Sequence, residues 1–180
     1  MDKIIKIPFL DIKVTKRLVI DLLLHFITTL IIAILLTIYS KNYTWFFLAF
    51  LGGVLIDTDH FIDYFLHLEK WNLESFLHGH FIVSRKLYLI FHAWELVILF
   101  AILSLYWNFF IVISTSMAGH LLIDTLMHAL YSPFSYFFIY RLKHKFFFDK
   151  FNYYLFKRQL KNLKKAGLFN SQNEKKLNQP

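Results

Sequence analysis

Histidine and aspartate recur at helical spacing inside the apolar part of this chain. His120, Asp124 and His128 follow one another every four positions, so their side chains share one face of a helix. Shorter pairs of the same kind are Asp21 with His25 and His92 with Glu95. The chain contains no cysteine, so a metal ion here would be bound through nitrogen and oxygen, as zinc, manganese and iron often are. We favour zinc among these divalent metals.

A second polar group closes the apolar run 44–67. It contains Asp57, Asp59, His60 and Asp63. Carboxylates at the C-terminal end of a helix oppose the helix dipole, so they fit poorly there without a cation. Two further histidines, His78 and His80, follow in the next connection.

Ionisable side chains are costly inside a membrane, and each of these needs a partner. A charged group at the bilayer centre costs about 2.5–3.5 kcal/mol or more, and one bound cation would neutralise several carboxylates at once. Simpler roles remain open for single residues. His25 or His92 alone suits a hydrogen bond between helices, and Glu95 suits an ion pair with Arg85 or Lys86.

The elements that must position these residues are long apolar runs. The chain is 57% hydrophobic, and runs of this length can cross a hydrocarbon core about 30 Å thick as helices. We predict an all-α integral membrane protein whose membrane domain occupies residues 1–132. Its four transmembrane helices are expected at about 18–39, 44–66, 87–107 and 109–131.

Two local signals refine the second helix and the loop that follows it. Gly52 and Gly53 predict either close helix packing or a break just before the acidic group. Asn72 is a suitable N-cap for a short helix in the connection, with Glu74 in its first turn.

Basic residues are concentrated at the two ends of the chain. Of 20 Lys and Arg, 16 lie before Leu18 or after Tyr140, which is typical of a membrane protein and argues against a nucleic-acid partner. The short loops alternate between basic and nearly uncharged, so both termini and the middle loop are expected in the cytoplasm. All four helices then carry their ionisable residues in the cytoplasmic half of the membrane.

The C-terminal part differs from the membrane domain in composition. Residues 133–165 mix aromatic with basic residues at helical spacing, which predicts an amphipathic helix at the membrane surface, in contact with lipids. Residues 166–180 are polar enough to predict a disordered tail.

Two motifs resemble those of the YdjM-like membrane-bound metal-dependent hydrolases (the DUF457 group). IDTDH at 56–60 resembles the family's PDxDH element, with Ile56 in place of proline, and AGHLLIDTL at 118–126 resembles its SHxxxD element. His25 is placed like the family's early histidine. The resemblance covers roughly residues 20–130. The family's HRGxTHS element is absent, and HGHFIVSRK and FHAWE occupy its region.

The resemblance implies hydrolysis at a metal site in the membrane. We therefore expect a hydrolase at the cytoplasmic leaflet that acts on a lipid or phosphoester. The general base is expected to be Glu95 or Asp57, and Arg85 with Lys86 would hold a phosphate headgroup. The expected metal ligands are Asp59, His60, His120 and Asp124, then His25 and His92. Secondary candidates are His78, His80, His128, Asp21 and Asp63.

Two other functions are compatible with the same residues. Acidic and histidine side chains in membranes also form paths for protons or metal ions, although such a path should cross both leaflets. The third possibility is a non-catalytic scaffold in which the metal is structural and enclosed by its ligands.

Overall fold

The computed structural model describes residues 4–7, 12–67, 71–128 and 132–169. These residues are predominantly helical, as the sequence predicts. An N-terminal β-hairpin, which the sequence analysis did not predict, pairs β1 (Ile4–Ile7) with antiparallel β2 (Ile12–Thr15). The α-helices are α1 (Lys16–Ser40), α2 (Tyr43–Leu55), α3 (Thr58–His67), α4 (Leu73–Leu77), α5 (Trp94–Leu103), α6 (Phe109–His128), α7 (Phe138–Lys143), α8 (Phe148–Phe151) and α9 (Tyr153–Ala166). Most of the predicted polar tail lies outside the described residues.

Three helical segments are long and apolar enough to cross a membrane. They are Lys16–Ser40, Tyr43–Leu66 and Phe109–His128. Much of their apolar surface is not covered by protein; Leu35 and Phe47, for example, are exposed. Large exposed apolar surfaces of this kind are rare on soluble proteins and suit contact with lipid. The helices are thus those of an integral membrane protein in length, composition and surface.

The predicted helix over 87–107 is interrupted. Within this range only α5, Trp94–Leu103, is helical, and its ten residues span about 15 Å, half of a hydrocarbon core. The preceding backbone leaves the helical pattern because its N–H groups bond to side chains of α3: Tyr88 and Leu89 donate to Asp63, and Phe91 donates to Asp59. An uninterrupted fourth helix is therefore not found.

Helix α1 packs against α2 and α6, and α5 packs against α6. The contact of α2 is closest at Gly53, where an added Cβ would lie 2.5 Å from Thr29 Oγ1 and 2.8 Å from Ser116 Oγ. The chain then turns at Ile56–Asp57 before α3 begins. Both expectations for the glycine pair, close packing and a break before the acidic group, are met. Asn72 caps α4 as predicted, with its side chain accepting from the Ser75 N–H.

The C-terminal region is not the single surface helix predicted for 133–165. A 3₁₀ turn at Pro133–Tyr136 leads into α7, α8 and α9. The apolar side of α9 is covered by protein, since Phe156 and Leu163 are buried in the same cluster as Ile82. These side chains pack there because the 3₁₀ turn His80–Ser84 lies against α9.

Candidate metal centre

The polar residues of three helical segments and one loop meet in the interior. His25 comes from α1, Asp57 from the turn between α2 and α3, His92 from the loop before α5, and His120 and Asp124 from α6. Arg17 at the start of α1 donates to the Met127 carbonyl of α6, and Gly53 near the end of α2 lies against Thr29, so the first half of α1 lies beside the ends of α2 and α6. The predicted stripes therefore face a common centre, which we call the His/Asp cluster.

Three histidines of the cluster are each anchored through Nδ1. The Nδ1 of His25 lies 2.8 Å from the Asp21 carbonyl oxygen, and that of His120 lies 2.8 Å from the Gly53 carbonyl oxygen. The Nδ1 of His92 lies 2.9 Å from Asp59 Oδ1. Oxygens of this kind only accept, so each Nδ1 carries a proton and each Nε2 is left to the cluster. Metal-binding histidines in proteins are commonly held in this way.

The three Nε2 atoms point at two carboxylates. The Nε2 of His25 is 3.2 Å from Asp124 Oδ1, and that of His92 is 3.3 Å from Asp57 Oδ1 and 3.4 Å from Asp124 Oδ2. The Nε2 of His120 is 3.4 Å from Asp57 Oδ1 and 3.6 Å from Asp124 Oδ2. Two ligands of one tetrahedral ion with bonds of about 2.1 Å are about 3.4 Å apart, so these separations suit donors that share a cation.

Two more histidines lie at the margins of the cluster. The Nε2 of His60 is 3.8 Å from Asp57 Oδ1. His128 lies between two carboxylates, with Nδ1 3.4 Å from Asp124 Oδ1 and Nε2 3.4 Å from Asp21 Oδ2. The secondary candidates Asp21 and His128 therefore continue the cluster towards the start of α1.

Asp59 and Asp63 both accept hydrogen bonds from the backbone of the 87–93 loop. The Asp59 carboxylate accepts from the backbone N–H groups of Phe91 and His92 as well as from the His92 ring. Asp63 accepts from the N–H groups of Tyr88 and Leu89. The two aspartates, one helical turn apart on α3, fasten the 87–93 loop. Asp59 thus holds the His92 ring on its Nδ1 side. From the sequence, Asp59 was expected to bind metal directly.

Glu95 and the two basic residues of the loop are engaged elsewhere. The Glu95 carboxylate accepts from the N–H groups of Phe138 and Ile139 and so caps the start of α7. The Arg85 guanidinium lies 2.7 Å from the Asp149 carboxylate, and Lys86 forms a β-bridge with Phe147. These three residues, expected as base and phosphate ligands, are not among the residues that line the cavity described next.

A cavity of about 280 Å³ lies against the His/Asp cluster. Asp57 is the most exposed of the acidic residues that line this cavity, with 44% of its side chain exposed. The side chains of His92 and His120 are only 1% exposed. His78 also lines the cavity and is anchored by Nδ1, 2.9 Å from the Glu74 carbonyl oxygen. The side chain of His80 is outside the described part of the structure.

Several cavity residues are not among the site residues predicted from the sequence. Arg17 at the start of α1 and Arg158 on α9 line the cavity, as does Tyr136 from the 3₁₀ turn before α7. The position of Arg17 beside Asp21 gave one hint, because the two are four residues apart on α1. Arg158 and Tyr136 are more than ninety residues from α1, and only the folding of the C-terminal region over the cluster brings them there.

Burial shifts the pKa values of two groups that lie outside the transmembrane segments. Burial raises the pKa of the Tyr136 phenol, and burial lowers the pKa of the Arg141 guanidinium to about 10. Arg141 is fully buried on α7, and within the described residues none of its three guanidinium nitrogens has a hydrogen-bond partner.

The donor atoms form two groups that can each hold a metal ion. One contains His25, His120 and Asp124, and the other contains Asp57, His60 and His92; within each group the donor atoms lie within 4.8 Å of one another. Comparisons of the chain with protein-family models, with curated proteins and with solved structures give no match.

Proposed function

We propose that the protein is a membrane-embedded metal-dependent hydrolase whose His/Asp cluster binds the metal. The observation that carries this proposal is the set of three histidines anchored through Nδ1, with Nε2 atoms 3.2–3.6 Å from the carboxylates of Asp57 and Asp124. Nitrogen and carboxylate oxygen together favour zinc, then manganese or iron. The motifs that resemble the YdjM-like hydrolases supply four of the six donors, which supports the same chemistry.

The positions of the protons on the histidine rings explain why the cluster needs a cation. His25 and His120 donate through Nδ1 to carbonyl oxygens, so a neutral ring presents only a lone pair at Nε2. That lone pair faces carboxylate oxygens in a region of low dielectric constant, which is unfavourable without a positive charge between them. Either a proton on each ring or a bound metal ion supplies this charge. A metal ion satisfies all the donors at once.

A bound divalent ion would lower the pKa of a water molecule towards about 7 and polarise the scissile group. The chain contributes the proton acceptor and the substrate contacts. Asp57 suits the first role when a single ion occupies the group of His25, His120 and Asp124, because its Oδ1 faces the histidines while much of its side chain is open to the cavity. Arg17 and Arg158, which line the cavity, suit an anionic group of the substrate. A lipid or other amphiphilic phosphoester fits a cavity lined by both apolar and basic side chains.

The proposal includes a position in the membrane. We place both termini and the His/Asp cluster on the cytoplasmic side, as the distribution of basic residues favours. The fourth crossing would consist of the 87–93 loop followed by α5. Non-helical backbone is tolerated at membrane depth only where its polar groups are satisfied within the protein, and Asp59 and Asp63 satisfy four N–H groups of this loop.

Transport is less well supported than hydrolysis. A path for ions should continue into the opposite half of the membrane, where the polar side chains are hydroxyls. There Ser114 donates to the Val97 carbonyl, Ser116 to the Ala49 carbonyl and Thr37 to the Ala33 carbonyl. Each hydroxyl is thus used within the helix bundle.

The proposal is tested on purified protein with His120→Ala, Asp124→Ala and Thr125→Ala variants. Thr125, next to Asp124, donates to the Leu121 carbonyl of its own helix, so its variant is the matched control. We expect wild type and the control to contain zinc and to hydrolyse a phosphodiester or ester amphiphile, and the other two variants to contain less zinc and to lose hydrolysis. Metal binding without hydrolysis of any ester would instead favour the scaffold, and metal flux into liposomes would favour the transporter.

A further inference from the structure

The His/Asp cluster offers more donors than one ion can use. A tetrahedral zinc ion takes four ligands, and a catalytic one takes three from the protein. Six side chains meet here, in the two groups named above, and both groups have their own histidine pair. The rings of His25 and His120 lie 4.1 Å apart between centroids, and those of His60 and His92 lie 4.9 Å apart. Two neighbouring binding positions account for this division.

The two carboxylates connect the groups. Asp57 belongs with His60 and His92, yet its Oδ1 is also 3.4 Å from His120 Nε2 in the other group. Asp124 belongs with His25 and His120, yet its Oδ2 is also 3.4 Å from His92 Nε2. Each separation is close to the distance of about 3.4 Å between two ligands of one tetrahedral ion. Each carboxylate can therefore bind an ion in its own group and a second ion beside it.

Buried atoms without hydrogen bonds occur in both groups. The Nε2 of His25 and Oδ2 of Asp124 lie in the first, and the Nε2 of His92 lies in the second. Asp124 and His92 are 5% and 1% exposed, so both are buried although they border the cavity. Buried polar groups are normally satisfied, and a site that leaves such atoms in both halves needs a ligand in both.

We propose that the cluster binds two divalent metal ions bridged by Asp57 and Asp124. One position would be formed by His25, His120 and Asp124, and the other by His60, His92 and Asp57. Paired ions of this type are roughly 3.5–4 Å apart and stabilise both the attacking and the leaving oxygen in phosphoester hydrolysis. This inference rests on the proposed function for its substrate class, a phosphoester in preference to a carboxylic ester, and Arg17 and Arg158 in the cavity wall favour the same anionic group.

The experiment measures metal per chain and the coupling between ions. Purified protein is loaded with zinc for elemental analysis and, separately, with Mn²⁺ for electron paramagnetic resonance. We expect two ions per chain and an exchange-coupled Mn²⁺ signal. His60→Ala should retain one ion per chain and an isolated Mn²⁺ signal, while His144→Ala, which alters a residue outside the cluster beside Tyr140, should retain two coupled ions.

One ion per wild-type chain, or a wild-type signal without coupling, overturns the inference, and neither measurement depends on whether a variant folds. Two coupled ions in His60→Ala would also overturn the inference. Activity is scored separately on a phosphodiester amphiphile and a carboxylic ester amphiphile. Two coupled ions without any hydrolysis would sink the proposed function and leave the paired site standing. Hydrolysis of the carboxylic ester alone would sink the substrate class.

Discussion

Asp57, in the turn before α3, and Asp59, on α3, have different surroundings. Asp57 faces His92 and His120 and is open to the cavity, whereas Asp59 is 1% exposed and accepts through Oδ2 from two N–H groups of the 87–93 loop. The three hydrogen bonds of the Asp59 carboxylate all reach Oδ2, while Oδ1 lies 2.9 Å from the Nδ1 of His92. The contribution of Asp59 is to hold the His92 ring so that Nε2 faces the cluster, and the sequence motif by itself does not distinguish these two roles.

The role of Asp59 predicts a specific defect in Asp59→Asn. The amide still accepts from backbone N–H groups, but it cannot stabilise the His92 ring as a carboxylate does, so metal affinity should fall about 10–100-fold. Competition with a chromophoric chelator measures this change. Asp149→Asn is the control, because Asp149 pairs with Arg85 and neither residue lines the cavity. Unchanged affinity in Asp59→Asn would show that His92 does not depend on Asp59.

At the scale of elements, α2 determines how closely three helices approach. Gly53 contacts Thr29 of α1 and Ser116 of α6, and its carbonyl oxygen holds the ring of His120. The same residue therefore sets helix spacing and ligand orientation. Gly52 lies on the same helix with its nearest neighbour atom, Ile113 Cα, 3.5 Å from an added Cβ, which is ordinary van der Waals contact.

The glycine pair gives a matched test of this packing. Gly53→Ala should lower the free energy of unfolding by about 1–3 kcal/mol, because its methyl group has no space between Thr29 and Ser116. It should also weaken metal binding by displacing the carbonyl that orients His120. Gly52→Ala should leave both nearly unchanged. Thermal unfolding in detergent and metal titration measure the two effects; equal behaviour of the variants would contradict this account of the helix contact.

The C-terminal elements extend the site. Helix α9 has a basic, exposed side and an apolar side, a pattern that also suits a helix at a membrane surface. In the structure the apolar side is used by protein, since Leu163 is fully buried, and Arg158 reaches the cavity. A segment predicted to contact lipids therefore also forms part of the wall of the candidate site.

At the scale of the whole molecule, membrane orientation is open to direct measurement. The chain has no cysteine, so single cysteines introduced at Lys41 and Lys150 provide unambiguous probes. Both positions are exposed. If the positive-inside pattern holds, an impermeant thiol reagent added to intact cells should label Lys41→Cys and not Lys150→Cys. Labelling of both from the same side would exclude the proposed orientation.

Metal removal should destabilise the whole bundle. The cluster joins α1, the α2–α3 turn, the 87–93 loop and α6, so a metal ion that binds the folded state alone would stabilise it by about 4 kcal/mol at a concentration 1,000 times its Kd. A chelator should therefore lower the melting temperature of wild type. His120→Ala, with little metal to lose, should melt lower and respond little to chelator. A wild-type melting temperature that chelation leaves unchanged would contradict a metal ion that links these elements.

The sequence by itself determined the helical class, three of the four predicted apolar helices, and the stripes of Asp21 with His25 and of His120, Asp124 and His128. Hydrophobic length and a four-residue spacing are local properties, and they persist in any fold that buries polar residues away from lipid. Asp57, His25, His120 and Asp124 were identifiable for that reason. The Asn72 cap was predictable on the same grounds, since the hydrogen bond is made within its own helix.

Only the tertiary structure decided which candidates meet and which are used elsewhere. Asp59, Glu95 and Arg85 have suitable chemistry, but each is engaged by a partner at least 32 positions away along the chain. The interruption of the predicted helix at 87–93 has the same origin, because carboxylates from α3 compete with helical bonds for its N–H groups. Arg158 and Tyr136 enter the cavity through long-range packing. Such contacts depend on distance in space, which no local sequence pattern records.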